Sequence, residues 1–172
     1  MRRRKKEQLL KAALTGMIGG LVASWAMNQF QAGMQKVEKE LLRQPQQPQQ
    51  SSQDSEDATM KTANRLTRVF THHELTKEQK KKAGPIVHYA YGALLGGTYG
   101  LLGELFPIVR LGAGTTFAAA AWLLGDEIAV PQLGLSESPM KYPASTHAKA
   151  LAAHLAYGVS LDGAQRALKA VV

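Results

Sequence analysis

Apolar and polar residues fall into long alternating blocks along this chain. A basic head is followed by an apolar stretch from about residue 9 to 30, and a long polar region then precedes a second apolar block. That block, Ile86 to Gly103, contains eighteen residues without a formal charge, about the length at which a helix crosses the hydrocarbon core of a bilayer. Two further apolar stretches, 111–125 and about 146–170, complete a predicted set of four helices.

Small residues recur at every fourth position within these blocks. Gly92, Gly96 and Gly100 form such a series in the second block, and Gly16 and Gly20 do so in the first. Inside a water-soluble helix each glycine costs about 1 kcal/mol relative to alanine. In lipid, small residues let a second helix backbone approach closely. The spacing therefore predicts an all-α fold: an integral membrane four-helix bundle with GxxxG-type helix packing, in which these five glycines line the contacts.

The helix ends are predicted from local signals. Phe106 ends the second helix because proline disfavours the α conformation in the residue before it. The short connection that follows predicts an antiparallel hairpin with the third helix. The small stripe of the third helix is Gly112, Thr116 and Ala120, and Ser145 or Thr146 is expected to cap the fourth helix.

The chain divides into three regions. Residues 1–32 form a basic N-terminus with the first transmembrane helix, 33–84 a polar loop, and 85–172 a three-helix membrane core. Within the loop, 44–57 is rich in glutamine and proline and has no aliphatic residue, so it is predicted to be a disordered linker. Residues 58–73 are predicted to form an amphipathic helix that rests on the membrane.

The first helix and the start of the second helix give rise to further predictions. The first helix is marginal as a span, since Lys11 and Gln29 lie near its ends, and an interfacial helix is the alternative. Thr76 and Gln79 have the spacing of a capping box, which begins a short basic helical lead. Pro85 is expected to interrupt that lead at the start of the second span.

Charge and cysteine content narrow the possible functions. The formal net charge is +8, which alone is compatible with a nucleic-acid-binding protein. However, the basic residues are concentrated at 2–6 and 77–82, beside the candidate spans. Anionic lipid head groups are therefore the expected partner, and nucleic acid is not. The chain has no cysteine, which excludes disulfides, thiol catalysis and cysteine-ligated metal centres.

Ionisable residues within the predicted spans are the candidates for chemistry. His88 and His154 stand in a repeated phrase, HYAYG at 88–92 and HLAYG at 154–158. Either a duplicated hairpin or convergence of similar helices explains the repeat. A buried histidine can form a hydrogen bond between helices, relay a proton, or bind a metal or haem. The full candidate proton or ligand site comprises His88, Tyr91, Glu104, Asp126, Glu127, His154 and Tyr157.

For the acidic members of this set, a structural ion pair is the alternative to a functional role. Glu104 is expected to form a salt bridge with Arg110 across the hairpin, and Asp162 to pair with Arg166 along the fourth helix. The Asp126-Glu127 pair is expected to meet Lys141, Lys149 or a histidine. No HExxH sequence and no phosphate-binding loop is present. The sequence thus predicts no catalytic residue, no metal and no cofactor.

The second half of the chain resembles a known family. Glu104-Leu105-Phe106-Pro107-Ile108, followed by Leu111-Gly112, by GDEIAVPQLGLSESPMKYP from Gly125 and by THAKALAAHLAYG from Thr146, is similar to the YagU-like family of small multi-pass bacterial inner-membrane proteins of unknown function. The resemblance covers about residues 84–169 and implies a multi-pass membrane protein with no established catalytic residues. We therefore expect a non-enzymatic bundle that acts as a structural or accessory subunit, bound to other membrane subunits or to itself. A small transporter or proton-conducting protein is the alternative.

Overall fold

The computed structural model describes residues 2–42 and 56–171, and the fold is all-α. Short 3₁₀ and π-helical segments stand between its helices from Pro107 to Lys141. The elements in chain order are α1 Arg2–Leu42, α2 Ala58–Thr71, α3 Lys77–Leu105, a 3₁₀ segment Pro107–Gly114, α4 Thr115–Trp122, a π-helical turn Leu123–Ala129, α5 Val130–Gln132, a 3₁₀ turn Pro139–Lys141 and α6 Ala144–Val171. Most of the predicted linker, 44–55, lies outside the described residues.

Helix α1 packs mainly against α3 and also against α6. It runs antiparallel to both, since its N-terminal half meets Gly100 and Gln165 while Glu38 near its C-terminus pairs with Lys149. Helices α3 and α6 are therefore parallel to each other, and α4 packs on α6. We call the end where α1 begins, and where α3 and α6 finish, the N-terminal end. The opposite end, where α2 packs against α3, is the α2 end.

The starts of α2 and α3 follow ordinary capping chemistry. Asp57 caps α2, its carboxylate accepting a hydrogen bond from the Met60 N–H at 2.8 Å. The predicted capping box at Thr76 and Gln79 is confirmed, with both reciprocal hydrogen bonds present. The expected interruption at Pro85 is wrong, because α3 continues through it. The long helical segments on both sides, packed against α1 and α2, outweigh the one backbone hydrogen bond that proline removes.

Several predicted boundaries also shift. Helix α1 extends to Leu42, well beyond the predicted end near residue 30. Helix α3 does end before Phe106, as predicted, and that residue has an extended conformation. The third apolar block is not one regular helix: non-helical backbone at 111–113 and a π-helical turn flank α4. Helix α6 begins at Ala144, so the expected cap at Ser145 or Thr146 is wrong.

The interior of the fold is built from small and polar side chains. Ala23, Ala118 and Ala153 are fully buried, together with the polar Gln165 and the nearly buried Asp162. Large aliphatic side chains point outward instead, which is the reverse of the usual distribution in a water-soluble domain. The exposed aliphatic residues on α1, α3 and the 107–132 stretch are Leu10, Leu14, Ile18, Leu21, Val22, Val37, Leu41, Ile86, Leu94, Leu101, Leu105, Ile108, Leu111, Leu123, Leu124 and Ile128.

Two helical stretches are long and apolar enough to cross a membrane. They are Arg3–Leu41, with a mean hydropathy of 1.4, and Pro107–Gln132, with a mean hydropathy of 1.3 in the most apolar window of each. Within the described residues α3 and α6, both expected to be spans, are not among them. Glycine, tyrosine and histidine lower the hydropathy of α3, and α6 carries Lys149, Asp162 and Arg166.

Candidate functional site

The glycines of α1 and α3 bring the two backbones into direct contact. A Cβ atom built on Gly16 would overlap the carbonyl oxygen of Gly96, and one on Gly20 would overlap that of Gly92. A Cβ on Gly100 would overlap the Ala12 carbonyl. All five glycines predicted to line helix contacts therefore lie in this one α1–α3 interface, where a larger side chain has no room.

A second close contact joins the start of α4 to α6. Gly114, whose φ of +83° favours glycine, and Gly158 are so close that a Cβ on Gly158 would lie 2.5 Å from the Gly114 carbonyl oxygen. Ala118, one turn later, would lie 2.7 Å from the same Cβ. The predicted stripe through Gly112 is therefore wrong by two residues. Non-helical backbone at 111–113 shifts the face that α4 presents to α6.

Five of the predicted site residues come together near the α2 end. His88 and Tyr91 are supplied by α3, His154 and Tyr157 by α6, and Asp126 by the π-helical turn. Electrostatic interactions link His88 to both His154 and Asp126, and the Tyr91 hydroxyl would lie 3.0 Å from a Cβ on the neighbouring Gly125. We call these five residues the histidine cluster. Isolated π-helical turns occur frequently at functional sites because they redirect side chains within a helix.

The Asp126–His154 pair needs a proton to be favourable. His154 Nδ1 lies 2.9 Å from the Ala150 carbonyl oxygen, which can only accept, so Nδ1 carries a hydrogen. Nε2 then points toward Asp126 Oδ2 at 3.6 Å. In a neutral imidazole this nitrogen has a lone pair, which a carboxylate would repel. The contact is attractive when one proton resides on either group.

His88 is a half-buried member of the histidine cluster whose ring includes one buried nitrogen. Its Nε2 atom is buried and has no hydrogen-bond partner, and the same is true of Ser24 Oγ on α1. The Ser24 side chain adjoins Gly92, one turn along α3 from His88. A buried polar atom without a partner is costly and therefore calls for a role or a ligand. The unpartnered Nε2 is able to accept or donate a proton.

Tyr157 closes the histidine cluster toward the middle of the molecule. Its hydroxyl donates a hydrogen bond to the Gly92 carbonyl oxygen at 2.6 Å, and its side chain is almost fully buried. Because this bond joins the two HxAYG-type phrases, the repeated segments of α3 and α6 contact each other. Both phrases place a histidine one turn nearer the α2 end than the tyrosine.

Glu127 lies beside the histidine cluster and pairs with a different histidine. His147 Nδ1 is 2.7 Å from Glu127 Oε1, and its Nε2 is 3.1 Å from the Pro139 carbonyl oxygen. Since both partners are acceptors, both ring nitrogens carry hydrogens and the imidazole is charged. The hydrogen bond that His147 donates to Glu127 raises the pKa of His147, which stands near the start of α6. Of the partners expected for the acidic pair, histidine is the one found for both members.

Glu104 does not belong to this group. It lies at the N-terminal end, where the predicted salt bridge with Arg110 is confirmed at 3.0 Å and Lys169 is a second partner. The hydrogen bond from Lys169 lowers the pKa of Glu104. Thus six of the seven candidate residues lie near the α2 end, and Glu104 stands apart at the other end.

A second buried polar group was not predicted as a site. The Tyr99 hydroxyl donates to Asp162 Oδ1 at 2.7 Å, and Arg166 Nε donates to Asp162 Oδ2 at 2.7 Å, which confirms the predicted Asp162–Arg166 pair. Tyr99 is fully buried, Asp162 is nearly so, and Gln165 nearby donates to the Ala12 carbonyl at 3.1 Å. The signal for this group in the sequence was an acid within an apolar helix.

Metal binding has no support in the described part of the chain. Among residues 2–42 and 56–171, no three His, Asp or Glu side chains are grouped closely enough to hold a metal ion. The histidine cluster has two imidazoles and one carboxylate in electrostatic contact, but they do not converge on a common point.

Comparison with models of protein families assigns the chain to a family. A family model described as protein of unknown function, DUF1440, matches residues 31–163. The chain belongs to this family. The DUF1440 region contains the whole histidine cluster and Asp162, whereas Gly16 and Gly20 of α1 lie before it. No curated protein matches the chain, and no solved structure matches it.

Proposed function

We propose that this DUF1440 protein is an integral, multi-pass helix bundle of a bacterial inner (plasma) membrane. The observation that carries the proposal is the distribution of side chains: small and polar residues are buried, and large aliphatic residues are exposed on α1, α3 and the 107–132 stretch. For example, Leu94 is 64% exposed and Leu124 is 61% exposed, while Gln165 is 0% exposed. Lipid stabilises the outward aliphatic side chains, because exposing them to water costs roughly 25 cal/mol per Å².

In this arrangement α1 and the 107–132 stretch face lipid along much of their length. The less apolar α3 and α6 are shielded by these neighbours, since α1 packs on both and α4 packs on α6. Polar groups within a membrane are tolerated where they face other helices and find partners. The four segments then cross the bilayer as a bundle with close glycine contacts, and the interfacial alternative for the first helix is not needed.

The basic residues at the two ends are proposed to contact anionic lipid head groups. Arg3, Arg4, Lys5 and Lys6 are exposed at the start of α1. Residues 77–82, at the start of α3, supply a second basic group at the α2 end. Helix α2 lies at the other end with Phe70 80% exposed, where an apolar side chain can enter the head-group region.

Within the membrane we propose a structural or accessory role without catalysis. The histidine cluster and the Tyr99–Asp162 pair contain no activated nucleophile. The partners we propose are other membrane subunits or a second copy of the chain, and nucleic acid is not among them.

Membrane extraction tests the main proposal. Membranes from cells that express the full chain are washed with sodium carbonate at alkaline pH and then with high salt, and the pellet is floated on a density gradient. We expect the protein to stay with lipid until detergent is added. Release by carbonate would contradict the proposal. Release by salt with steeply salt-dependent DNA binding would instead indicate a basic nucleic-acid-binding protein.

A second candidate function is proton conduction. The observation that favours it is the Asp126–His154 contact, which needs a shared proton, next to the unpartnered Nε2 of His88. The test uses proteoliposomes containing a pH-sensitive dye and driven by a potassium-diffusion potential. We expect proton flux that is lost in His88→Ala and His154→Gln and kept in His73→Gln, which changes an exposed histidine. Absence of flux in the unmodified protein across pH would contradict this function.

A further inference from the structure

Positive charge is distributed unevenly between the two ends of the bundle. Residues 2–11, at the N-terminal end, contain six basic residues and one acid, whereas residues 56–82, at the α2 end, contain seven basic residues and four acids. We propose that the start of α1 is the surface that selects anionic lipid head groups, and that the basic run 77–82 contacts lipid without such selection. This inference rests on the proposed function, which places both ends at a membrane surface.

The basic run at the α2 end is engaged in ion pairs within the chain. Lys80 Nζ lies 2.7 Å from Glu56 Oε1, and Lys81 Nζ lies 3.8 Å from Glu78 Oε1. The side chain of Lys80 is only 13% exposed, so little of it is open to an outside partner. A carboxylate this close to a cation offsets the attraction that the cation would exert on a lipid phosphate. The run therefore has less charge available for lipid than its sequence indicates.

The start of α1 presents basic side chains that have no acidic partner. Four consecutive exposed residues belong to this group: Arg3, Arg4, Lys5 and Lys6. Within residues 2–42 and 56–171 no ion pair involves any of them. Neighbouring positions on a helix are about 100° apart, so the four side chains surround α1 instead of forming one face. We call them the basic ring, which suits a layer of lipid head groups on every side of the helix.

The cations that α6 and the 3₁₀ segment Pro107–Gly114 supply to the N-terminal end are held by acids. Arg110 and Lys169 both pair with Glu104. Arg166 pairs with Asp162 at 2.7 Å. The basic ring is therefore the part of this end that can attract lipid phosphates most strongly.

Exposed aliphatic side chains begin one helical turn beyond the basic ring. Leu10 is 61% exposed, and Leu14, a turn further on, is 51% exposed. Lys6 and Leu10 are four residues apart, which is a rise of roughly 6 Å along the helix. Cations this close to outward leucines lie at the depth of the lipid phosphates when the leucines are in hydrocarbon. A nucleic acid would instead leave those leucines exposed to water.

The end of α3 indicates the same boundary. Gly100 abuts the Ala12 carbonyl and the two helices are antiparallel, so Phe106 lies close to the level of Lys6. Phe106 is 56% exposed, and Ile108 is 70% exposed. Apolar surface exposed at this level is stabilised by the edge of the hydrocarbon layer. The basic ring and these apolar side chains thus fit one boundary between hydrocarbon and head groups.

The experiment measures the preference of the protein for an anionic lipid. The full chain is reconstituted in phosphatidylcholine vesicles that contain a trace of spin-labelled phosphatidylglycerol or of spin-labelled phosphatidylcholine. Electron paramagnetic resonance gives the ratio of the association constants of the two labelled lipids. At low salt we expect a ratio of at least about two in favour of phosphatidylglycerol. At about 1 M salt the ratio should approach one, because exposed charges are then screened.

Two double variants provide a matched comparison. One combines Lys5→Gln with Lys6→Gln in the basic ring, and the other combines Lys81→Gln with Lys82→Gln at the α2 end. Each removes two adjacent lysines, so the change in net charge is the same. We expect the preference for phosphatidylglycerol to fall toward one in the first variant and to be unchanged in the second. Elution as a single peak in detergent shows that each variant is folded.

Several outcomes would overturn the inference. One is a fall in the α2-end variant that equals or exceeds the fall in the ring variant. Another is a preference that persists at about 1 M salt, since a ring of exposed cations would then be screened. Displacement of the labelled phosphatidylglycerol by short duplex DNA at low salt would assign the ring to nucleic acid instead.

The proposed function is judged separately, by carbonate extraction of the same unmodified protein. A protein that resists extraction but shows no preference for phosphatidylglycerol contradicts the inference alone. A protein that carbonate releases contradicts the membrane bundle, and the inference falls with it.

Discussion

Helix α3 contacts α1 and α6 in two different ways. Toward α1 it presents Gly92, Gly96 and Gly100, and the contact is mainly backbone against backbone. Toward α6 it presents the Tyr99 hydroxyl, which donates to Asp162 at 2.7 Å, and the Gly92 carbonyl, which accepts from Tyr157 at 2.6 Å. The first contact depends on shape and tolerates no added atom. The second depends on partner chemistry and tolerates changes of shape better than the loss of a hydrogen bond. Substitutions on the two sides should therefore fail for different reasons.

The largest effect is expected at Gly96. Leucine there would place side-chain atoms against the Gly16 carbonyl, and neither backbone can move without breaking helical hydrogen bonds. Overpacking inside a core typically costs about 1–3 kcal/mol, and a clash with backbone exceeds that range. We expect Gly96→Leu to yield little protein that elutes as a single species in detergent. Gly163→Leu is the control, because no atom lies within 4 Å of a Cβ built there. Equal yields for the two variants would contradict the close α1–α3 contact.

The next effect is expected at Tyr99, on the α6 side. Tyr99→Phe removes the hydroxyl that binds the buried Asp162 carboxylate without adding volume. Leaving a buried group short of a partner costs about 1–3 kcal/mol, so the thermal unfolding midpoint in detergent should fall by several degrees. Tyr142→Phe, at a half-exposed position, should leave the midpoint unchanged. A midpoint for Tyr99→Phe equal to that of the unmodified protein would show that the hydrogen bond contributes nothing.

A smaller change is expected at Tyr157. Its partner, the Gly92 carbonyl, lies inside α3 and already accepts the helical N–H four residues on. Tyr157→Phe therefore removes a second hydrogen bond from an atom that keeps its first, at a cost of about 1 kcal/mol. In the same unfolding assay, we therefore expect the midpoint to fall further in Tyr99→Phe than in Tyr157→Phe. A larger fall in Tyr157→Phe would contradict this ranking, because the hydrogen bond to the Gly92 carbonyl would then contribute more stability than the one to the Asp162 carboxylate.

The smallest effect is expected for Glu127→Gln, as a loss of stability that depends on pH. His147 has a raised pKa in the folded protein, so the Glu127–His147 pair stabilises the fold fully below the ordinary histidine value of 6.5 and is lost as pH rises through the raised value. Glu127→Gln should lower the unfolding midpoint at about pH 6, and the difference from the unmodified protein should vanish by about pH 9. Glu137→Gln, which breaks an exposed pair with Lys141, is the control. A difference in midpoint between Glu127→Gln and the unmodified protein that is as large at about pH 9 as at about pH 6 would exclude the charged Glu127–His147 pair as its cause.

The glycines of α1 and α3 that recur every fourth residue lie at one interface, whereas the four-residue repeat in the third apolar block does not stay on one face. The i, i+4 spacing on α1 and α3 is set by helix geometry alone, so the sequence was sufficient to place those glycines on contacting faces. In the third apolar block the left-handed backbone at Gly112 and Ala113 rotates the face that follows. A repeat counted through that point selects the wrong side of α4.

The histidine cluster could be predicted only in part. His88 and His154 stood out because ionisable residues are rare in apolar helices. That Asp126 meets His154 depends on a π-helical turn, and a turn of this kind has no simple residue signature. The Tyr99–Asp162 contact joins residues sixty-three positions apart, and no spacing rule links parallel helices at that separation. Glu104 lies sixteen residues along α3 from His88, at the other end of the same helix, and it is therefore separate from the histidine cluster.

The measurement that tests the central claim most directly is the lipid exposure of the outward aliphatic side chains. The chain has no cysteine, so single cysteines can be introduced and spin-labelled without removing others. Leu94→Cys, on the outer face of α3, is compared in liposomes with Met140→Cys, in the 3₁₀ turn, which is 92% exposed. We predict that the label at 94 is relaxed by oxygen and shielded from a water-soluble nickel complex, with the opposite result at 140. A label at 94 that is relaxed by the nickel complex as strongly as the one at 140 would contradict a membrane-spanning α3.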